Sequence, residues 1–196
     1  MGAPEAGREG KAARTRLAVR RAAIELCLEH GYPATSTKAI AELAGVAERT
    51  LFRAFPTKAA IFWFDPFLSR VIRRLDARTA AEDPVSALSS AVLATARAIT
   101  DEEWRLELGR RKVILREPDL IATGTQELNL AATRIGELLT PVDASPELAF
   151  RTALFARFAV AGFGIVPVHA ETTTEEWGTE LARVARLAAD GPMERP

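Results

Sequence analysis

Cysteine is almost absent from this chain; Cys27 stands alone. A single thiol excludes an intramolecular disulfide framework and a cysteine-ligated structural zinc site. Cys27 shares a helical i, i+3, i+4 set with Ala23, Ile24 and Leu28 and reads as a small core residue rather than a reactive thiol. Tyrosine also occurs once, no Asn-Gly hairpin signal is present, and no stretch alternates polar and apolar residues for long, so β structure is not expected. The two histidines, His30 and His169, lie far apart without an obvious nucleophile or metal partner. His30 fits a helix C-terminus, where its charge suits the dipole. Phosphate loops, dinucleotide glycine patterns and His-Glu-x-x-His are missing. The chain is therefore read as no enzyme, with no catalytic residue, no metal and no cofactor. Met1 to Gly10 lacks an apolar signal segment, and the longest charge-free apolar run, Phe158 to Val168, is short and interrupted by Gly162, Gly164 and Pro167. A cytoplasmic protein without membrane contact is expected.

Net charge is lacking too. Lys+Arg 26 balances Asp+Glu 26 over 196 residues, which disfavours a wholly basic coat protein and an acidic disordered chain. The balance is uneven along the chain. Residues 1–60 hold ten Lys/Arg against six acids, a surplus of +4, and the remainder holds 16 against 20, a deficit of −4. Such asymmetry suggests that the first segment meets a polyanion.

What is present is helix-forming sequence. The 48% hydrophobic and 27% charged composition supports a buried core, and the fold class expected is all-α with about nine helices. The first runs from Arg14 to His30 and stops at Gly31. Two short helices flank Gly45, and Pro56 ends the second. Thr57 caps a long helix through Trp63, Phe67, Val71 and Leu75, expected to touch two domains. Asp83-Pro84 and Ser145-Pro146 are N-cap pairs with proline at the first helical position. Asp101 caps a helix through Trp104 to Leu115, and Pro118 opens another reaching Leu139. Thr173 to Glu176 reads as a capping box for the last helix. The domains expected are a tail over 1–10, a first domain over 11–56, a second over 57–190 and a tail over 191–196.

The stretch Thr37 to Lys58 carries the function. Ile40, Ala41 and Ala44 lie before Gly45, and Val46, Leu51, Ala54 and Phe55 follow it as an inward face. Glycine supplies the positive φ of a tight turn between steeply crossed helices, so the pattern is a helix-turn-helix whose second helix lies in the DNA major groove. That helix exposes Glu48, Arg49, Phe52 and Arg53, with Thr50 at the flank. Arg49 can pair with guanine O6 and N7, and Glu48 can accept from cytosine N4. Lys58 opens the next helix beside backbone N–H groups suited to phosphate. The bland alternative is a solvated Arg/Glu face on a short helix.

Lys11 to Phe62 resembles the DNA-binding domain of TetR-family repressors. The residues that carry the likeness are Gly31-Tyr32, Thr35, Thr37, Ile40-Ala41, Ala44-Gly45-Val46, Thr50-Leu51-Phe52, Phe55-Pro56-Thr57-Lys58 and Ile61-Phe62. The resemblance implies three DNA-binding helices followed by about six that bind ligand and dimerise. It implies phosphate contacts from Thr37 and Lys58 and base contacts from Glu48, Arg49 and Thr50. Phe52 and Arg53 depart from the family's usual Tyr and His or Tyr; Phe52 lacks a hydroxyl, and Arg53 restores a phosphate contact by charge. Ala47 replaces the usual Ser or Thr cap, a loss of roughly 1 kcal/mol for that helix.

The remainder is expected to form a homodimer through the last two helices, using small residues such as Ala156, Ala159, Ala161, Gly162 and Gly164 and the stripe Leu181, Val184, Ala185, Leu187 and Ala188. Core packing within one subunit is the alternative for the same residues. Candidate pocket residues for a small apolar or amphipathic effector are Trp63, Phe67, Trp104, Leu108, Phe155 and Phe158. Arg111 and Arg157 are candidates for an anionic group on that ligand, or else for internal ion pairs and exposed helix edges. Glu103 to Leu120 has a looser similarity to a TetR subgroup with acyl-CoA-like ligands, in which Arg110, Arg111, Lys112 and Arg116 would suit pyrophosphate. The rival functions are a scaffold acting through non-specific DNA or protein binding, and activation in place of repression.

Overall fold

In a computed structural model of the chain, the residues described are 3–64, 66–78, 82–169 and 171–190, with side chains from residue 10 onward. Among them are ten helices and no strand: α1 Ala3–His30, α2 Thr37–Leu43, α3 Glu48–Ala54, α4 Lys58–Trp63, α5 Pro66–Asp76, α6 Pro84–Arg97, α7 Asp101–Arg116, α8 Pro118–Leu139, α9 Pro146–Ile165 and α10 Thr174–Asp190. The all-α expectation holds. Helix α1 begins at Ala3, well before the expected Arg14, so residues 3–10 are helical where a tail was expected. The tail over 191–196 lies outside the described residues.

The caps follow their sequence signatures. Asp83 Oδ1 accepts from the Val85 and Ser86 amides at 3.0 Å, and Ser145 accepts from Leu148 N at 3.2 Å. Thr173 and Glu176 exchange bonds at 2.9 and 3.2 Å, completing the capping box. One expectation fails. The long helix from Thr57 is two helices, because α4 ends at Trp63 with Phe64 extended (φ −64°, ψ 104°) and Pro66 opens α5. Proline lacks the N–H that would continue the ladder and its ring collides with the preceding turn.

The chain divides into two compact units, 1–64 with 101–124, and 65–100 with 125–196. The first gathers α1 to α4, α7 and the start of α8, so α7 packs with the N-terminal helices although it follows the sequence boundary drawn at residues 56 and 57. Its core joins Val19, Ala23 and Cys27 of α1, Ile40 of α2, Leu51 and Phe55 from α3, Ile61 and Phe62 of α4, and Val113 of α7. Helix α7 crosses α1 closely at Gly109, where a Cβ would stand 2.6 Å from Ile24 Cγ2. Arg21 pairs with Glu102 on the same contact. A buried ionic cluster braces α7 further. Burial would raise the Glu107 carboxyl, but the Arg110 and Arg111 guanidinium groups beside it hold it down at about 2. Arg110 also donates to the Phe62 carbonyl at 3.0 Å, fixing α7 to α4.

In the second unit α10 packs against α6 and α9, and α5 packs on α6. Trp177, buried, meets Phe67 with ring centroids 4.6 Å apart. Gly178 lies where a Cβ would be 2.5 Å from Ala96, which is why α10 and α6 approach so closely.

Candidate nucleic-acid interface

Helices α2 and α3 join through Ala44, Gly45, Val46 and Ala47. Gly45 has φ 66°, a conformation that favours glycine, and Val46 N bonds back to Ala41 O at 3.0 Å. Leu51 and Phe55 are buried and clamp α3 to the core, so the opposite side of α3 is left to solvent. Glu48, Arg49, Phe52 and Arg53 are exposed there, Phe52 by 43%. The exposed stripe inferred from the sequence is thus the stripe the fold presents. Thr50 is half-buried at its edge.

Ser36 caps α2, accepting from Ala39 N at 3.1 Å, and Thr37 is the first helical residue. The Thr37 hydroxyl donates to Glu48 Oε1 at 2.8 Å. Two residues assigned separately to phosphate and base are therefore bonded to each other. Ala47 makes no side-chain cap, as its identity demands. Lys58 donates to the carbonyls of Tyr32 and Thr35 at 2.7 and 2.9 Å, and its ammonium lies 3.9 Å from the Tyr32 ring centre. Two of its three donors brace the loop between α1 and α2. Burial raises the Cys27 thiol, keeping it neutral, in accord with a core role.

A cleft of about 520 Å³ adjoins the recognition stripe, lined by Lys11, Ala12, Thr15, Arg16, Thr50, Arg53 and Ala54. Sequence reasoning found the α3 side of this cleft and missed the α1 side. The signal available was the i, i+4 spacing of Lys11 with Thr15 and of Ala12 with Arg16, which puts them on adjoining strips of one helix face.

Residues 19–62 match the family model described as bacterial regulatory proteins, tetR family. Over this segment the chain is similar to the tetR family. It is 29% identical over 177 residues to the HTH-type transcriptional regulator TcmR of Streptomyces glaucescens, covering 87% of this chain and 76% of that protein. It is 37% identical over 105 residues, 51% of each chain, to MftR of Mycobacterium tuberculosis, whose name gives it as a candidate transcriptional regulator of mycofactocin biosynthesis. Among solved structures, Thermus thermophilus FadR in complex with lauroyl-CoA aligns with TM-score 0.47 and 23% identity over 92% of this chain and 96% of that one.

The C-terminal candidates fall in both units. Trp63, Trp104, Leu108 and Arg111 belong to the first, and Phe67, Phe155, Arg157 and Phe158 to the second. Trp63 is half-buried, and its indole N–H donates to Leu120 O at 2.7 Å. Arg111 donates to Glu107 at 2.9 Å, the internal pairing weighed as its alternative. Arg110 is buried in the same cluster, so the pyrophosphate role considered for it is not supported by its position. Trp104, Phe67 and Phe155 are buried, Leu108 is half-buried, and Arg157 and Phe158 are exposed. Arg157 reaches Thr133 Oγ1 at 3.4 Å from the open edge of α9.

Of the small residues named on the last two helices, Ala161 and Gly164 are exposed and others are buried. Ala156 and Ala159 are buried, as are Leu181 and Ala185, and a Cβ on Gly162 would lie 2.4 Å from Val184 Cγ1. Gly162 thus meets α10 within one chain, while Ala156 faces Gly136 of α8. The outward face of α9 also carries large apolar residues: Phe150, Leu154, Phe158 and Ile165 are all exposed. Helix α9 is long and apolar enough by composition to cross a membrane, yet its other face is built into the second unit against α10.

Proposed function

We propose that the protein is a dimeric, ligand-responsive transcriptional repressor that binds a palindromic operator. The observation that carries this reading is the exposed face of α3, with Arg49 central and Glu48 tied to Thr37. A short helix offering one guanidinium and one carboxylate to base edges reads only a few base pairs, so a two-fold partner is needed to double the site. The stripe Phe150, Leu154, Phe158 and Ile165, at helical spacing on α9, supports a second copy as that partner. Glu48 and Arg49 of α3 read bases, Arg53 and Lys58 meet phosphates, Lys58 through its remaining donor, and Thr37 meets one through its backbone N–H, since its hydroxyl is given to Glu48. A small apolar or amphipathic effector in the C-terminal helices releases DNA by binding the non-DNA-binding state more tightly. Regulation of this kind fits the tetR family.

Enrichment of duplexes from a random library tests the reading. A palindromic consensus bound by two chains supports it. Enrichment of no common sequence, with steep salt dependence, turns the function into non-specific binding.

A further inference from the structure

The cleft between α1 and α3 is lined by no fully buried residue and meets the exposed stripe of α3 only at Arg53. Its walls hold three cations, Lys11, Arg16 and Arg53, and two hydroxyls, Thr15 and Thr50, around a space of about 520 Å³. Lys11 and Arg53 are exposed, and Arg16 is half-buried with its guanidinium 5.7 Å from the Phe64 ring centre. Among the described residues no acid lines the space. On α3 the cleft occupies one flank, through Arg53, Thr50 and Ala54. Glu48, bonded to Thr37, occupies the other flank, and Arg49 lies between.

A helix about 10–12 Å across its side chains fills a major groove about 12 Å wide. When Arg49 faces the bases, both flanks of α3 meet the sugar-phosphate walls. Thr37 stands at one wall. The other wall falls at the cleft.

We propose that this cleft is a phosphodiester clamp: Lys11, Thr15 and Arg16 of α1, with Arg53 and Thr50 of α3, hold backbone phosphates of the strand opposite the one that Thr37 meets. The inference rests on the DNA-binding reading and adds to it a second wall and three residues of α1. The cations and hydroxyls of the described lining suit phosphate oxygens, and the clamp fixes the register in which Arg49 enters the groove. It reads no sequence itself.

The test uses the full-length protein and the duplex it enriches from a random library, carrying one neutral methylphosphonate at a time. The wild type should lose affinity when phosphates on each strand are neutralised. Lys11→Gln should weaken binding about threefold or more and reduce the salt slope by about 1, and Thr15→Val should weaken it less. In Lys11→Gln, neutralising the clamp phosphate should cause no further loss, while the consensus stays that of the wild type. Arg134→Gln, which removes the same charge from the Asp76 and Glu137 pairing of the second unit, serves as the net-charge control and should leave binding unchanged. Equal losses in wild type and Lys11→Gln at every phosphate, with the consensus intact, would overturn the clamp and leave the DNA reading standing. Competition by inorganic phosphate at constant ionic strength, without a position-specific loss on the duplex, assigns the cleft to a free anion and overturns it also. A wild type that enriches no sequence overturns both.

Discussion

The Thr37 hydroxyl donates to the Glu48 carboxylate at 2.8 Å, so the first turns of α2 and α3 are joined across the turn at Gly45. A hydroxyl has one proton to give, and Thr37 gives it to the residue that begins the recognition helix. The bond replaces some of the order lost at Ala47, which caps nothing.

Removing that hydroxyl should therefore affect binding more than folding. Thr37→Val loses one exposed hydrogen bond, about 1 kcal/mol or less of stability. DNA affinity should fall further than stability does, and Thr37→Ser should restore it. Anisotropy titrations beside thermal melts separate the two effects. Equal DNA affinity in Thr37→Val and wild type would show that the bond orients nothing.

Arg49 is exposed at the centre of the α3 stripe. A bidentate guanine contact discriminates by about 1–3 kcal/mol. Arg49→Ala should relax the consensus at one position in each half-site, whereas Lys58→Ala should weaken binding to every sequence. Because Lys58 also bonds Tyr32 O and Thr35 O, its loss should lower the melting temperature as well. A wild-type consensus from Arg49→Ala would remove that residue from base reading.

Acid should loosen the first unit through Glu107. Its carboxyl titrates at about 2 in the folded chain against an ordinary 4.5. The unfolded chain thus binds more protons between those values, and stability rises with pH there. The contribution is complete above about pH 4.5 and disappears as pH falls toward 2, a change on the order of 3 kcal/mol. Glu107→Gln should abolish this part of the acid dependence. It should also destabilise at neutral pH by roughly 3–5 kcal/mol, since Arg110 keeps its buried charge and Arg111 loses its partner. Denaturant melts across the acid range measure both.

Gly124 bears the Trp63 indole. A Cβ there would fall 2.0 Å from Trp63 Cζ2. Gly124→Ala gains about 1 kcal/mol of helix propensity but must displace the ring and its bond to Leu120 O. Overpacking of about 1–3 kcal/mol plus the lost bond outweighs the gain, so the variant should be less stable. A shifted tryptophan emission with a lower melting temperature is the expected result; a more stable variant would contradict the close contact.

The open face of α9 should carry the association. Phe158→Glu puts a charge at the middle of the exposed stripe, and light scattering at micromolar concentration should find monomers where the wild type gives dimers. A dimeric Phe158→Glu variant with an unchanged melting temperature would move the interface elsewhere.

Most of the helices were legible because capping residues announce themselves locally. Asp83-Pro84, Ser145-Pro146 and the Thr173–Glu176 box each carry their partners within three residues. The exposed stripe of α3 was legible for the same reason: its period and its glycine turn are local. The break before Pro66 was equally local, but the apolar spacing of Trp63, Phe67 and Val71 masked it. What could not be read were pairings across distance. Nothing near Arg110 in sequence announces the Phe62 carbonyl, and nothing near Lys11 announces Arg53. Small residues on α9 do not by themselves say what they pack on: Gly162 meets Val184 of α10 in the same chain, whereas Ala161 and Gly164 are exposed.

The most direct test of the account is the affinity and stoichiometry of the purified protein on its enriched duplex and on a scrambled duplex of the same length at near-physiological salt. The account predicts two chains per duplex and at least about a thousandfold preference for the enriched sequence. Equal affinity for the two duplexes would contradict sequence reading by α3.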